Sequence, residues 1–288
     1  MLRRTVVGIP ASYSEDQSLE TESTIRYLSY LEDEGVHTVM STAGTSHFNL
    51  LNIDEIHALN KVVSNSFKGN KIIGVPALSN RDAVAFIEKA NDYIDSSCRL
   101  MLLYPERYYS EDEIIDYMSN LRSHTNNKIY IHGKTIRNAS GGNWDYNASV
   151  INKLYNLGTL QGIKEEHSNL SKSYDFVSEI HPEVDVIVAG GSMRRYEYLQ
   201  SAGANSFLSG VGNLFPKIEQ SYLDGVLAKK SLDKEKQLFS VFMKHGWHKS
   251  LRIALKYLDL TCYYDRKPWP TTSALEEEAI KQIVEKIR

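Results

Sequence analysis

The run GTLQGIKEEHSNL (158–170) sets Lys164 after a short apolar stretch and before two glutamates and a histidine. An ammonium among apolar neighbours loses hydration, so burial favours its neutral amine. A neutral amine attacks a carbonyl carbon. The resulting imine draws electrons from the adjacent carbon–carbon bond, which then forms or breaks through an enamine, and this is the chemistry of a metal-free aldolase. The same lysine could instead pair with Glu165 or Glu166 as an ordinary structural cation.

A second group is the turn GTSH (44–47), where Gly44, Thr45 and Ser46 offer backbone N–H groups and hydroxyls able to hold a carboxylate or phosphate. Turns also use small polar residues for their backbone conformation alone. His47, His132 and His167 fall at or just beyond expected strand ends. Such histidines can hold a metal for hydrolysis, although no HxH pair or clustered aspartate accompanies them. A third reading, from another class, is a degenerate barrel that binds a keto acid or sugar acid without turning it over.

The elements that must position these residues alternate strictly. Apolar runs at 5–9, 36–40, 71–75, 98–104, 128–132, 159–164, 184–190 and 205–210 are expected as strands, alternating with amphipathic helical stretches. Examples are a helix over about 20–34 with Ile25, Leu28 and Leu31 on one face, and another from Asp54 with Ile56, Leu59 and Val63. Eight βα units with continuous apolar strands predict a (β/α)8 TIM barrel, with an open doubly wound sheet as the runner-up. Beyond Gly210 only helices are expected, giving a barrel over 1–213 and a C-terminal helical domain over 214–288. Ser273 and Glu276 have capping-box spacing, with Leu275, Ala279 and Ile283 following at every fourth residue. In a barrel of this kind the chemistry lies where strands end, which makes Lys164 and His132 the informative residues.

These segments are similar to a known family. GVHTVMSTAGTSHFNLLNIDE (35–55) resembles the strand, carboxylate-binding turn and helix start of the dihydrodipicolinate synthase and N-acetylneuraminate lyase family. GIKEEH (162–167) resembles its Schiff-base lysine motif, and GANSFLSGVGNLFP (203–216) its last strand and exit. The resemblance implies a barrel with a helical tail, assembled as a dimer or tetramer, in which Lys164 condenses with a 2-oxo acid such as pyruvate. An aldehyde or sugar acid is the implied second partner, and no cofactor is expected. It places Thr45 and Ser46 at the substrate carboxylate, with Gly44 in place of one family threonine and His47 in place of the glutamate. It places His132 where the family has a proton-moving tyrosine, and Arg137 loosely where a carboxylate-binding arginine stands. Gly190 would let backbone approach the substrate. Glu106 and Arg107 replace the tyrosine pair that often follows the fourth strand, with Tyr108 and Tyr109 displaced. A lyase with a changed proton relay is the implied activity, and a sugar-acid dehydratase using the same imine is the alternative.

Composition narrows the partners. A formal charge of −3 with scattered Lys and Arg supplies no cationic field for nucleic acid. No apolar run approaches the ~20 residues that span a bilayer, and the early Pro10 and acids do not suit a secretory segment, so a cytoplasmic location is expected. Cys98 and Cys262 match no metal or redox spacing and are expected as small hydrophobes. Trp144, Trp247 and Trp269 are expected as packing residues.

Overall fold

Short runs rich in Val, Ile and Leu lose little by being extended and gain by burial on both faces, which is the condition of a parallel barrel strand. A computed structural model of the protein describes residues 4–105, 110–134, 147–208 and 210–288. Among these, eight strands close in chain order into a barrel. They are β1 (Arg4–Gly8), β2 (Thr38–Met40), β3 (Asn70–Val75), β4 (Cys98–Leu102), β5 (Lys128–His132), β6 (Gly162–Glu165), β7 (Asp185–Val188) and β8 (Ser206–Leu208).

The chain divides into two compact units, one of residues 1–4 with 70–208 and the other of 5–69 with 209–288. In the first, β3 to β8 alternate with helices α3 (Asn80–Asn91), α4 (Glu111–Ser123), α5 (Ala148–Asn156), α6 (Leu170–Glu179) and α7 (Met193–Gln200). Its core includes Ile73, Leu100, Ile131, Ile163 and Val188. The second holds β1 and β2, helices α1 (Glu22–Asp33) and α2 (Ile53–Ser66), and the C-terminal helices α8 (Pro216–Leu227), α9 (Asp233–His245), α10 (Trp247–Tyr257) and α11 (Ala274–Ile287). Val7, Leu28, Leu59, Phe242 and Val284 are buried there.

Local signals behave as read. Ser273 and Glu276 form a complete capping box at the start of α11, and Asn52 with Glu55 forms another at α2. Two helix faces differ from expectation. The buried stripe of α11 is Ile280, Ile283, Val284 and Ile287, while Leu275 is 84% exposed. Leu275 lies in the first turn, ahead of the packed stretch. In α1, Tyr27 joins Leu28 and Leu31 inside and Ile25 is part-exposed. A stripe of spacing three and four can be drawn through either neighbour, and packing decides which. Cys98 is buried as expected, whereas the Cys262 thiol is only partly buried and donates to Glu20 at 3.2 Å. Among the described residues no helix is long and apolar enough to cross a membrane.

Candidate active site

Strand β6 begins at Gly162 rather than Thr159 and runs one residue past Lys164. That shift matters because strand side chains alternate between faces. Lys164 is the register partner of His132 on β5, so the two side chains point to one face, as does Glu166 two residues on. Lys164 is 5% exposed. Its Nζ lies 2.9 Å from His132 Nε2 and donates to Glu166 Oε2 at 3.0 Å. Lys134, itself about half exposed, brings a second ammonium to 3.9 Å from Glu166 Oε1. The pairing of Lys164 with a following glutamate is therefore present, and so is the juxtaposition with His132.

The electrostatics follow from this packing. Burial, then the Lys164 charge, push the His132 imidazole down to about 3, so it is neutral near pH 7. Its Nε2 then accepts from the Lys164 ammonium. Burial is the largest single influence on the Glu166 carboxyl and raises it, but the charge and hydrogen bond of Lys164, with His132 and Lys134, together outweigh it and hold the group at about 2. The result is a buried carboxylate and a neutral imidazole, both in contact with one amine.

Glu165 points the other way and is fully buried. It accepts from Arg195 Nη2 of α7 at 2.6 Å, from Ser173 Oγ of α6 at 3.1 Å and from the His167 N–H at 2.7 Å. The same Arg195 nitrogen donates to Ser173 Oγ at 2.9 Å. This ion pair ties the end of β6 to two helices behind it. Gly190 and Gly191 make room on the two sides. A Cβ on Gly190, whose φ is +72°, would stand 2.6 Å from Glu166 Cγ, and one on Gly191 would stand 2.9 Å from Arg195 Cδ. The space over Gly190 is thus taken by the Glu166 side chain. Sequence reasoning missed Glu166 and Arg195 as site residues; the period-two alternation after Lys164 is the signal that could have found Glu166, whereas the Arg195 contact depends on helix packing.

Tyr130 lies two residues before His132 on β5. It is the register partner of Gly162, and its hydroxyl donates to Asp185 Oδ2 at 2.5 Å, at the start of β7. A Cβ at Gly162 would collide with the Tyr130 ring.

In the other unit, Ser46 Oγ accepts from the Thr42 N–H at 2.9 Å and donates to the Ile9 carbonyl at 2.5 Å, closing the turn that follows β2. Thr45 packs against Gly8, and the exposed Gly44 lies against the His248 ring. His47 is buried in the left-handed conformation with φ 56°, 3.3 Å from the Tyr13 hydroxyl through Nδ1 and with its ring 4.4 Å from that of Trp269. Burial, then the Arg252 and His248 charges, push it down to about 3. Trp247 packs on Phe239 and Phe242. In the first unit, His167 accepts the Asn169 N–H at Nδ1. Among the described residues no group of three or more His, Cys, Asp or Glu is arranged to hold a metal ion. Arg137, Trp144 and residues 106–109 lie outside the described residues.

Solved structures share this architecture end to end. A dihydrodipicolinate synthase from Thermotoga maritima superposes with a TM-score of 0.83 at 19% identity, covering 100% of this chain and 99% of that one. The dihydrodipicolinate synthase from Agrobacterium tumefaciens str. C58 gives 0.83 at 14% identity over 100% and 98%. An N-acetylneuraminate lyase from Fusobacterium nucleatum gives 0.83 at 16% identity over 99% of both chains. A sequence search of curated proteins finds no match. The model of the Dihydrodipicolinate synthetase family, however, matches residues 1–287, so a barrel carrying a buried lysine on β6 is joined to a match along almost its whole length, and the chain belongs to that family.

Proposed function

We propose that the protein is a lyase of the class I aldolase type, in which Lys164 forms an imine with a 2-oxo acid of the pyruvate type. The observation that carries this is the buried Lys164 amine, 2.9 Å from a neutral imidazole. Condensation of an ammonium with a ketone gives an iminium and water. The nitrogen loses two hydrogens, the carbonyl oxygen leaves with them, and the positive charge stays on nitrogen. His132 Nε2 can accept one of those protons during the exchange. Of the causes that hold His132 at low pKa, which are burial and the Lys164 and Lys134 charges, the Lys164 charge disappears when the iminium becomes a neutral enamine. His132 is then a stronger base at the stage where a proton must move to or from carbon. Family members are typically oligomeric, and a homo-oligomer is the form expected for this chain.

The test is incubation with pyruvate and borohydride, followed by peptide mass mapping. The expected result is a reduced adduct on Lys164, formed at an undiminished rate in the presence of a chelator. No adduct with pyruvate or related 2-oxo acids, or one on another lysine, would leave a barrel that binds its ligand without imine chemistry.

A further inference from the structure

We propose that Glu166 is a catalytic residue that supplies the counter-charge to the Lys164 nitrogen and so admits uncharged carbonyl compounds, hydroxyketones and aldehydes lacking a neighbouring carboxylate, as imine partners. The proposal rests on the imine reading of Lys164. An iminium keeps the positive charge that the ammonium carried. A 2-oxo acid brings its own anion to that charge, because its carboxylate is bonded to the carbon that becomes the iminium carbon. A neutral ketone brings none, and in a buried site its iminium would be left uncompensated, which is costly.

Here the compensating anion belongs to the protein. Glu166 Oε2 is 3.0 Å from Lys164 Nζ, and its side chain is largely buried, at 21% exposure. The placement is built by the backbone: Glu166 follows Lys164 by two residues on the same face, and its Cγ fills the space that any side chain at Gly190 would need. The second oxygen, Oε1, faces the Lys134 ammonium at 3.9 Å. With His132 neutral, Lys164 and Glu166 sum to zero charge before condensation, and an uncharged ketone leaves that sum at zero afterwards. A 2-oxo acid adds one negative charge, answered by the half-exposed and hence solvent-screened Lys134. The arrangement therefore widens the range of carbonyl compounds and does not exclude 2-oxo acids.

The experiment measures trapping at Lys164 by cyanoborohydride with dihydroxyacetone and, in parallel, with pyruvate, using the full chain and its Glu166→Gln variant. The native protein is expected to trap both compounds at Lys164. Glu166→Gln is expected to slow dihydroxyacetone trapping by at least about tenfold more than pyruvate trapping, since only the neutral ketone depends on the protein's anion. That ratio cancels the intrinsic reactivities of the two ketones. Should the variant fail to fold, judged by circular dichroism, Glu166→Ser serves for the same ratio, and the native comparison stands by itself. Pyruvate trapped without dihydroxyacetone, or equal losses for both in the variant, overturns the proposal while leaving the imine reading intact. Trapping of neither compound at Lys164 overturns both.

Discussion

His132 would be an unusual proton carrier, because the lysine it would serve joins burial in keeping it unprotonated. Its imidazole, pushed down to about 3 by burial and the Lys164 charge, cannot store a proton near neutrality. It can accept one at Nε2 while nitrogen is changing charge. Replacing it tests whether this matters: His132→Phe is expected to lower turnover by ~10²-fold or more, the usual size of acid–base assistance, while Lys164 trapping persists. Turnover would be followed with whichever aldehyde supports it, and trapping by intact mass. Unchanged turnover in a folded variant would make His132 a packing residue. Loss of trapping would make it part of the binding surface.

At the scale of one strand, the end of β6 turns two neighbouring acids to opposite faces. Lys164 and Glu166 face one way, and Glu165 faces Arg195 and Ser173 on the other. Removing one partner of a buried ion pair strands the other, so Arg195→Met is expected to cost about 3–5 kcal/mol, whereas Arg195→Met with Glu165→Gln should cost much less. Urea unfolding of the two singles and the double closes the cycle, and additive losses would count against the coupling. The same strand shows what can be read before folding. The apolar runs, their order and the Ser273 cap are local, and each is legible because its cause lies within a few residues. Lys164 and His132 were legible for a similar reason, since each stands near the end of an apolar run. What closes on Lys164 is not local. Choosing Glu166 rather than Glu165 depends on where β6 ends, which is at Glu165 and not at Lys164. The Arg195 contact depends on how α7 packs, and the glycines that make room for both side chains look like turn glycines in the one-dimensional chain.

At the scale of the whole molecule, each compact unit holds a buried histidine whose pKa is pushed well down, His132 in one and His47 in the other. Both are held near 3 when folded against an ordinary value of 6.5, chiefly by burial. Between those values the unfolded chain takes up protons that the folded chain refuses, so stability is lost as pH falls below about 6.5. The loss approaches ~1.4 kcal/mol per pH unit for each histidine. Glu166, lowered from 4.5 to about 2, acts in the same direction further down: its stabilisation is complete above about 4.5 and disappears as pH falls through 2. Urea midpoints are therefore expected to be flat above pH 7 and to drop by pH 5. His47→Asn, which tolerates the left-handed backbone at that position, should make the drop between pH 7 and 5 markedly shallower. An unchanged slope in that variant would mean that His47 gains its proton while folded.

The pairing of Tyr130 with Gly162 reaches further than its own contact. These two are register partners on the strands that also carry His132 and Lys164, and the aromatic ring occupies the place where any side chain at 162 would begin. The ring lies over the bare backbone of Gly162 on one face of the β5–β6 pair, whose separation the ladder hydrogen bonds set. It helps hold the register that brings His132 and Lys164 to 2.9 Å two residues on. A lineage could therefore exchange the groups around the amine one at a time and explore new substrates, while position 162 stays closed to every residue but glycine.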